Sequence, residues 1–197
     1  MNNEQGILNS EPAYRTGRFR SQTLQHSTFL VRHSIFLFFF LFLFLNSSAQ
    51  NAIVYNAHGV HPVRDDAAYV VEGGRIQVAC GSFASKGPCI FLIEGNQIYR
   101  ADGTFCRKGR GAYVLEKDGL YRCTGPFCTK SQCVMMLEDE KVYYADGTFC
   151  NKTEGAFVLE ENVVYYGEGA FCNKGDAVFI IEGDISMPAL IAILTTR

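Results

Sequence analysis

Hydrophobic residues follow two different patterns in two parts of the chain. Residues 35–45 form one unbroken apolar run of Ile, Phe and Leu. After residue 50, short apolar stretches rich in aromatic and branched residues alternate with turn-forming residues such as Gly, Asn and Asp. Short stretches bounded in this way predict β-strands, whereas the single unbroken run is typical of a targeting segment. The two parts therefore have different roles.

The β-rich part repeats every 22 residues without an insertion. A fixed period of this length indicates a repeat architecture. Each repeat keeps a glutamate, a phenylalanine and a lysine at fixed places, and most repeats keep a cysteine directly after the phenylalanine. These series are Glu72, Glu94, Glu116, Glu138, Glu160 and Glu182; Phe83, Phe105, Phe127, Phe149 and Phe171; Lys86, Lys108, Lys130, Lys152 and Lys174; and Cys106, Cys128, Cys150 and Cys172.

One repeat, residues 111–132, illustrates the predicted local structure. Residues 112–116 (Ala-Tyr-Val-Leu-Glu) predict a first strand, here called the A strand, and residues 120–123 (Leu-Tyr-Arg-Cys) predict a returning B strand. A tight turn, Lys117-Asp118-Gly119, joins them, and a link that contains Gly125 leads to the next A strand. Each repeat is thus predicted to be a β-hairpin followed by a link.

The two ends of the array predict how it closes. Residues 54–59 align with later B strands but follow no A strand, whereas residues 177–182 form an A strand after which the pattern fades. Pairing the last strand with the first removes exposed sheet edges. We therefore predict an all-β fold, a closed ring or barrel of about six β-hairpins closed by the N-terminal and C-terminal strands. Alternatively, Ile185 could begin a further B strand displaced by one residue.

The N-terminal part is predicted to be a secretory signal peptide. Arg32 precedes the apolar run, and the small residues Ser47 and Ala49 fit the two subsites of signal peptidase, which places cleavage between Ala49 and Gln50. The run is shorter than a helix that spans the roughly 30 Å hydrocarbon core, and an uncleaved anchor is the alternative interpretation. Residues 1–30 are long for the first region of a signal peptide, which suggests that translation starts later.

Three segments follow from these patterns. Residues 1–49 form the N-terminal extension and signal peptide, residues 50–186 the β-hairpin repeat domain, and residues 187–197 an apolar C-terminal tail. The tail could plug the ring, add a strand or touch a membrane, and we expect it to pack on the ring. The chain has 197 residues, 18 of them Lys or Arg and 20 Asp or Glu. This balance lacks the basic excess of nucleic-acid-binding proteins, so nucleic acid is not an expected partner.

The cysteines predict disulfides. All eight lie in the β-rich part, and an even number behind a signal peptide indicates pairing in an oxidising compartment rather than a reduced metal site. Spacing suggests that Cys128 pairs with Cys133 and Cys80 with Cys89, while the other cysteines bridge neighbouring repeats. The candidate disulfide cysteines are Cys80, Cys89, Cys106, Cys123, Cys128, Cys133, Cys150 and Cys172.

The remaining residues offer little catalytic chemistry. The β-rich part contains only His58 and His61, and the chain has no nucleophile elbow, phosphate-binding loop or paired-histidine metal motif. We predict that the protein is not an enzyme and has no cofactor or metal site. The repeated Phe is expected to fill the core between hairpins, and the repeated Glu and Lys are expected to lie in solvent.

Two resemblances bear on architecture. The alternation of Ile-Tyr-x-Ala-x-Gly (residues 98–103) with Ala-Tyr-Val-Leu-Glu (residues 112–116) resembles the β-flower proteins, bacterial rings of repeated hairpins. That resemblance covers residues 53–185 and implies a closed ring. Residues 142–148 (Val-Tyr-Tyr-Ala-Asp-Gly-Thr) are similar to cell-wall-binding repeats of the choline-binding type. Those repeats cage a quaternary ammonium with Trp, and this chain has none.

These features predict an exported, non-enzymatic β-repeat module that has a structural or ligand-binding role at the cell envelope. Its location would be secreted or periplasmic, and its partner an unknown surface ligand, namely a glycan, a lipid head group or a protein. One alternative is a lectin-like module that binds glycan or cell wall. Another is a lipid-associated module that exposes apolar residues of the tail. The candidate ligand-facing residues are Tyr99, Tyr121, Tyr143 and Tyr165.

Overall fold

A computed structural model describes residues 51–197 except Ser82 and Pro126. The predicted signal peptide and its cleavage site lie outside these residues. The described part contains twelve strands and one helix. The strands are β1 (Asn51–His58), β2 (Val63–Glu72), β3 (Arg75–Cys80), β4 (Ser85–Glu94), β5 (Gln97–Asp102), β6 (Arg107–Glu116), β7 (Gly119–Thr124), β8 (Thr129–Glu138), β9 (Lys141–Asp146), β10 (Asn151–Glu160), β11 (Val163–Glu168) and β12 (Asn173–Gly183); the helix is α1 (Met187–Leu194).

The strands form a closed antiparallel ring. Every strand pairs with its neighbours in sequence, and β1 pairs with β12, where Ile53 lies opposite Glu182 and Val54 opposite Ile181. The predicted closure by the first and last strands is therefore confirmed, as is the all-β fold of about six hairpins. β12 ends at Gly183, so the alternative B strand at Ile185 is wrong, because β1 already occupies that place.

Each A strand is longer than the B strands beside it, and its two halves pair differently. In β10, Asn151 and Lys152 pair with β9 alone, whereas from Phe157 onward the strand also pairs with β11. A register shift at Gly155 separates the halves, and the other five A strands have shifts at the equivalent place. Because successive strands alternate in direction, all six links lie at one end of the ring and the A-to-B turns lie at the other.

Alternate side chains of the strands fill the interior of the ring. The B strands contribute one fully buried aliphatic residue at the same place in each repeat, and the A strands add phenylalanines. Period-two alternation of apolar and polar residues thus selects one face of every strand for the core. These residues are Val54, Ile76, Ile98, Leu120, Val142 and Val164 on the B strands, and Phe91, Phe157 and Phe179 on the A strands.

The C-terminal tail forms helix α1, which completes this core. Its residues from Ala189 to Leu194 are buried and belong to the same apolar cluster as the inward-facing strand residues. Pro188 lies in the first turn, where its missing N–H costs nothing. After the helix, the hydroxyl of Thr196 lies 2.9 Å from that of Tyr69. The tail therefore plugs the ring, which confirms the expectation that it packs there.

Candidate functional site: a crown of exposed phenylalanines

The repeated phenylalanines lie on the surface and not in the core. Each occupies the third position of its link, and each side chain is between 79% and 96% exposed. We call these five residues the phenylalanine crown: Phe83, Phe105, Phe127, Phe149 and Phe171. The prediction that they fill the space between hairpins is wrong, because the following residue turns inward in their place. In the sixth link, Val60 is 66% exposed.

The links share one backbone conformation. In residues 103–106, both Gly103 (φ +70°) and Cys106 (φ +50°) have positive φ, and the Cys106 N–H donates to the Gly103 carbonyl at 3.4 Å. The links that contain Phe127 and Phe171 have the same hydrogen bond and the same pair of positive φ angles. A four-residue turn of this kind leaves its third side chain pointing away from the chain on either side. The repeated turn therefore presents each Phe in the same way.

Disulfides hold three of the links against the ring. Cys89–Cys106 and Cys133–Cys150 each join the bend of an A strand to the link that follows the returning B strand of the same repeat, and the Cys89 N–H also donates to the carbonyl of Gly103 in that link. Each link thus folds back over the preceding A strand. The suggested Cys80–Cys89 pair is wrong, because that fold brings a cysteine 17 residues later against Cys89.

The third disulfide joins a B strand to the link directly after it. All three bonds therefore lie within single repeats, and the expectation that the other cysteines bridge neighbouring repeats is wrong. Cys128 pairs with Cys123, five residues before it, and not with Cys133 as the spacing suggested. The reason is local: the preceding A strand has Gly111 where other repeats have a cysteine, and a Cβ there would lie 2.8 Å from the Cβ of Cys128. Cys133 is instead used by the following link. These three bonds indicate that the ring forms in an oxidising environment.

Cys80 and Cys172 are not in disulfides, so six of the eight candidate cysteines are paired. Cys80 is exposed. Cys172 is buried and packs directly against Gly155 and Gly167. A Cβ atom added to Gly155 would lie 2.5 Å from the Cα of Cys172, and one added to Gly167 would lie 2.3 Å from its Sγ, so neither place has room for a side chain. Burial raises the pKa of the Cys172 thiol, which makes it a poor nucleophile. Gly155 and Gly167 stand at the places where other repeats have the disulfide cysteines Cys133 and Cys123, so Cys172 has no cysteine there to pair with.

The candidate ligand-facing tyrosines are covered. Tyr99, Tyr143 and Tyr165 are 5% to 8% exposed, and Tyr121 is partly buried. A lysine ammonium lies over each ring, at 3.7 Å from the centroid for Lys108 on Tyr99 and 4.3 Å for Lys152 on Tyr143. Three of these rings therefore offer little surface to a sugar, and the assignment of the four tyrosines to a ligand stays a prediction. The long apolar stem of lysine packs well against an aromatic ring, which explains why they are covered.

The same lysines bind the repeated glutamates. Lys152 Nζ lies 2.5 Å from a carboxylate oxygen of Glu138, 14 residues earlier, and the other repeats have the same pair. Arg64 and Glu182 make the equivalent pair across the closure between β1 and β12. Hydrogen bonding to glutamate raises the pKa of four of these lysines, Lys108, Lys130, Lys152 and Lys174. A hydrogen bond from Lys86 lowers the pKa of Glu72. These charges form a belt around the ring and neutralise one another.

A further polar pair, His58 with Asp65, lies at the surface. His58 Nδ1 lies 2.9 Å from a carboxylate oxygen of Asp65, and both side chains are exposed. Among residues 51–197 other than Ser82 and Pro126, no group of three His, Cys, Asp or Glu side chains comes together as metal ligands do. In the same part of the chain, no helix has the length and apolar character needed to cross a membrane.

Comparison with known proteins adds no assignment. No family model, curated protein or solved structure matches this chain. The likeness to β-flower proteins and to choline-binding repeats therefore stays a prediction, although the closed ring that the first of them implies is present. The phenylalanine crown and the chemistry of its links are the features of this chain that point to a function.

Proposed function

We propose that this protein is an exported, non-enzymatic binding module of the cell envelope, and that the phenylalanine crown is its binding surface. The observation that carries this proposal is the exposure of all five crown residues. A Phe that is at least 79% exposed buries little surface in the ring. Five of them in equivalent links at one end of the ring differ from the singly scattered apolar residues of an ordinary surface, and a set of this kind marks an interaction site. Repetition at five links points to a ligand that is engaged several times at once.

Multivalency gives this arrangement its strength. The links that hold Phe105, Phe127 and Phe149 are each fixed by a disulfide, so little conformational entropy is lost when they bind. Linked sites that are individually weak act together with much higher avidity. A surface that offers many copies of one ligand, such as an envelope, suits this design better than a single small molecule does.

Export is the second part of the proposal. The disulfides indicate an oxidising environment. The sequence before residue 50 has the parts of a signal peptide, with cleavage expected after Ala49. We therefore expect the mature protein to begin at Gln50, and mass spectrometry of the purified protein from a bacterial host measures this directly.

Envelope fractionation tests the binding surface. The full chain is expressed in a bacterial host with its own N-terminal segment, and the mature protein is expected to sediment with the envelope. A triple variant of the crown, Phe105→Ser, Phe127→Ser and Phe149→Ser, is expected to move to the soluble fraction. The matched control changes two exposed residues of the opposite turns, Asp118→Ser and Asn162→Ser, and is expected to stay with the envelope. Retention of the crown variant would contradict the proposal.

A further inference from the structure

We infer that the ligand of the crown is the surface of a lipid bilayer, bound through its apolar layer and without dependence on lipid charge. This inference rests on the proposed function and names the partner of the same site. It depends on three properties of the links: their lack of Lys, Arg, Asp and Glu, the backbone hydrogen bond that closes four of their turns, and their separation around the ring.

The links contain no charged residue. None of the segments 59–62, 81–84, 103–106, 125–128, 147–150 and 169–172 includes Lys, Arg, Asp or Glu, in a chain that is 19% charged. Moving a charge into a medium of low dielectric constant is very costly. A link built from Gly, a small or turn-forming residue, Phe and Cys or Ala carries no such cost. The sixth link has His61 at the place of the Phe, and one position earlier it presents Val60, which is apolar and exposed.

Several backbone groups of the links are hydrogen-bonded within the protein, which lowers the cost of placing them in lipid. In four of them, the N–H of the residue after Phe donates to the glycine carbonyl of the same turn, as Cys128 does to Gly125 at 3.4 Å and Cys172 to Gly169 at 3.1 Å. The carbonyls of Gly103 and Gly169 accept a second bond from the A strand of the same repeat, and the carbonyl of Gly147 accepts one bond from the equivalent A strand. Buried backbone groups without partners are penalised in lipid, and these groups already have partners.

The separation of the crown phenylalanines favours a lipid bilayer over a protein surface as the ligand. Equivalent residues of neighbouring repeats are two strands apart, which is at least about 10 Å at a strand spacing of about 4.8 Å. Single rings at this spacing do not merge into one continuous apolar patch of the kind that packs against a protein partner. Each tip can instead enter a bilayer on its own, as the apolar side of a peripheral protein does.

The residues beside the tips argue against a repeated polar ligand. The residue before the link glycine is Asp102 in one repeat, Thr124 in the next and Glu168 in the last. A glycan would need the same hydrogen-bonding groups beside each ring, whereas the five links have only the glycine and the Phe in common. Because Arg107 follows the link that Asp102 precedes, and Thr124 is neutral, the crown has no consistent charge that would select anionic lipid.

The absence of Trp from the chain allows a direct test. Residues 50–197, which hold the compact unit formed by the ring and its helix, are prepared with a single tryptophan in place of a crown residue, Phe149→Trp. Vesicles of phosphatidylcholine are expected to shift the tryptophan emission to shorter wavelength, and brominated acyl chains are expected to quench it. The control, Asp118→Trp at the opposite turn, is expected to show neither effect.

Affinity completes the test. One Phe→Ser change at a tip is expected to weaken vesicle binding about tenfold, as loss of one buried aromatic side chain implies, and the triple variant about a thousandfold. Binding is expected to change less than threefold when phosphatidylcholine is replaced by anionic lipid or when salt is raised.

Failure of the lipid inference can be told apart from failure of the proposed function. If the protein stays with the envelope through its crown but shows no emission shift with vesicles, the ligand is a glycan or a protein, and the lipid inference is overturned alone. Crown-dependent dimers in solution that exclude vesicles would overturn it in the same way. If the crown variant also stays with the envelope, both proposals fall.

Discussion

Replacing Ile193 by alanine tests how the helix holds the ring together. Ile193 is fully buried within α1 and lies in the cluster that includes inward-facing residues of the strands. Removal of a buried Ile side chain usually costs about 2–5 kcal/mol, and the cost rises when the surroundings cannot close the cavity. A closed ring has no free edge through which it can contract. We therefore expect a loss of about 4 kcal/mol in the free energy of unfolding.

Urea unfolding with the disulfides intact measures this loss, followed by circular dichroism. The matched control is Met187→Ala, at the start of the same helix, where the side chain is 42% exposed and the expected loss is below about 1 kcal/mol. An eight-residue helix is not stable by itself, so helix and strands should unfold in one transition. A loss below about 1 kcal/mol for Ile193→Ala, equal to the control, would refute the role of α1 as a plug.

Two further predictions concern the links and the belt of charge. Replacing both Cys133 and Cys150 by alanine should cost about 3 kcal/mol in urea unfolding, because their disulfide spans 17 residues, and a fall no larger than that of Met187→Ala would contradict this. The pKa values of Lys108 and Lys152 are raised in the folded state. The stability that their ion pairs contribute is therefore complete below the lysine pKa of the unfolded chain, about 10.4, and is lost as the pH rises through the pKa of the folded state. Melting temperature should thus fall above about pH 10, and less steeply in Glu138→Gln, which a titration by calorimetry would reveal.

The sequence was sufficient to predict the ring because the repeat is locally explicit. A 22-residue period, strand-forming stretches and glycine turns all indicate one hairpin per repeat, and the unmatched strands at residues 54–59 and 177–182 indicate closure. The apolar tail was equally clear, since six consecutive apolar residues need cover. Each of these features can be predicted because it depends on residues that are close in sequence or that occupy the same place in different repeats.

The surface was predicted less well, because exposure depends on which residue in a link turns inward. Hydrophobicity alone favours the Phe of each link for the core. The shared turn conformation instead directs the residue after the Phe inward, with a disulfide at Cys106 and without one at Cys172. Tyr143 was expected to face a ligand, but its ring is buried. Its cover comes from Lys152, whose position over the ring depends on a cross-strand contact. Only the constant 14-residue separation of Glu138 and Lys152 hinted at that contact.

The pairing of β1 with β12 has a consequence for how the protein is made. These strands are the first and last of the domain, so the ring stays open until nearly the whole chain has emerged from the ribosome. Its seam and its plug, α1, are both supplied by the final residues. Contacts between distant parts of a chain form late and slowly. A ring of this design therefore stays open until β12 and α1 have been made, so the proposed export would act on a chain whose ring has not yet closed.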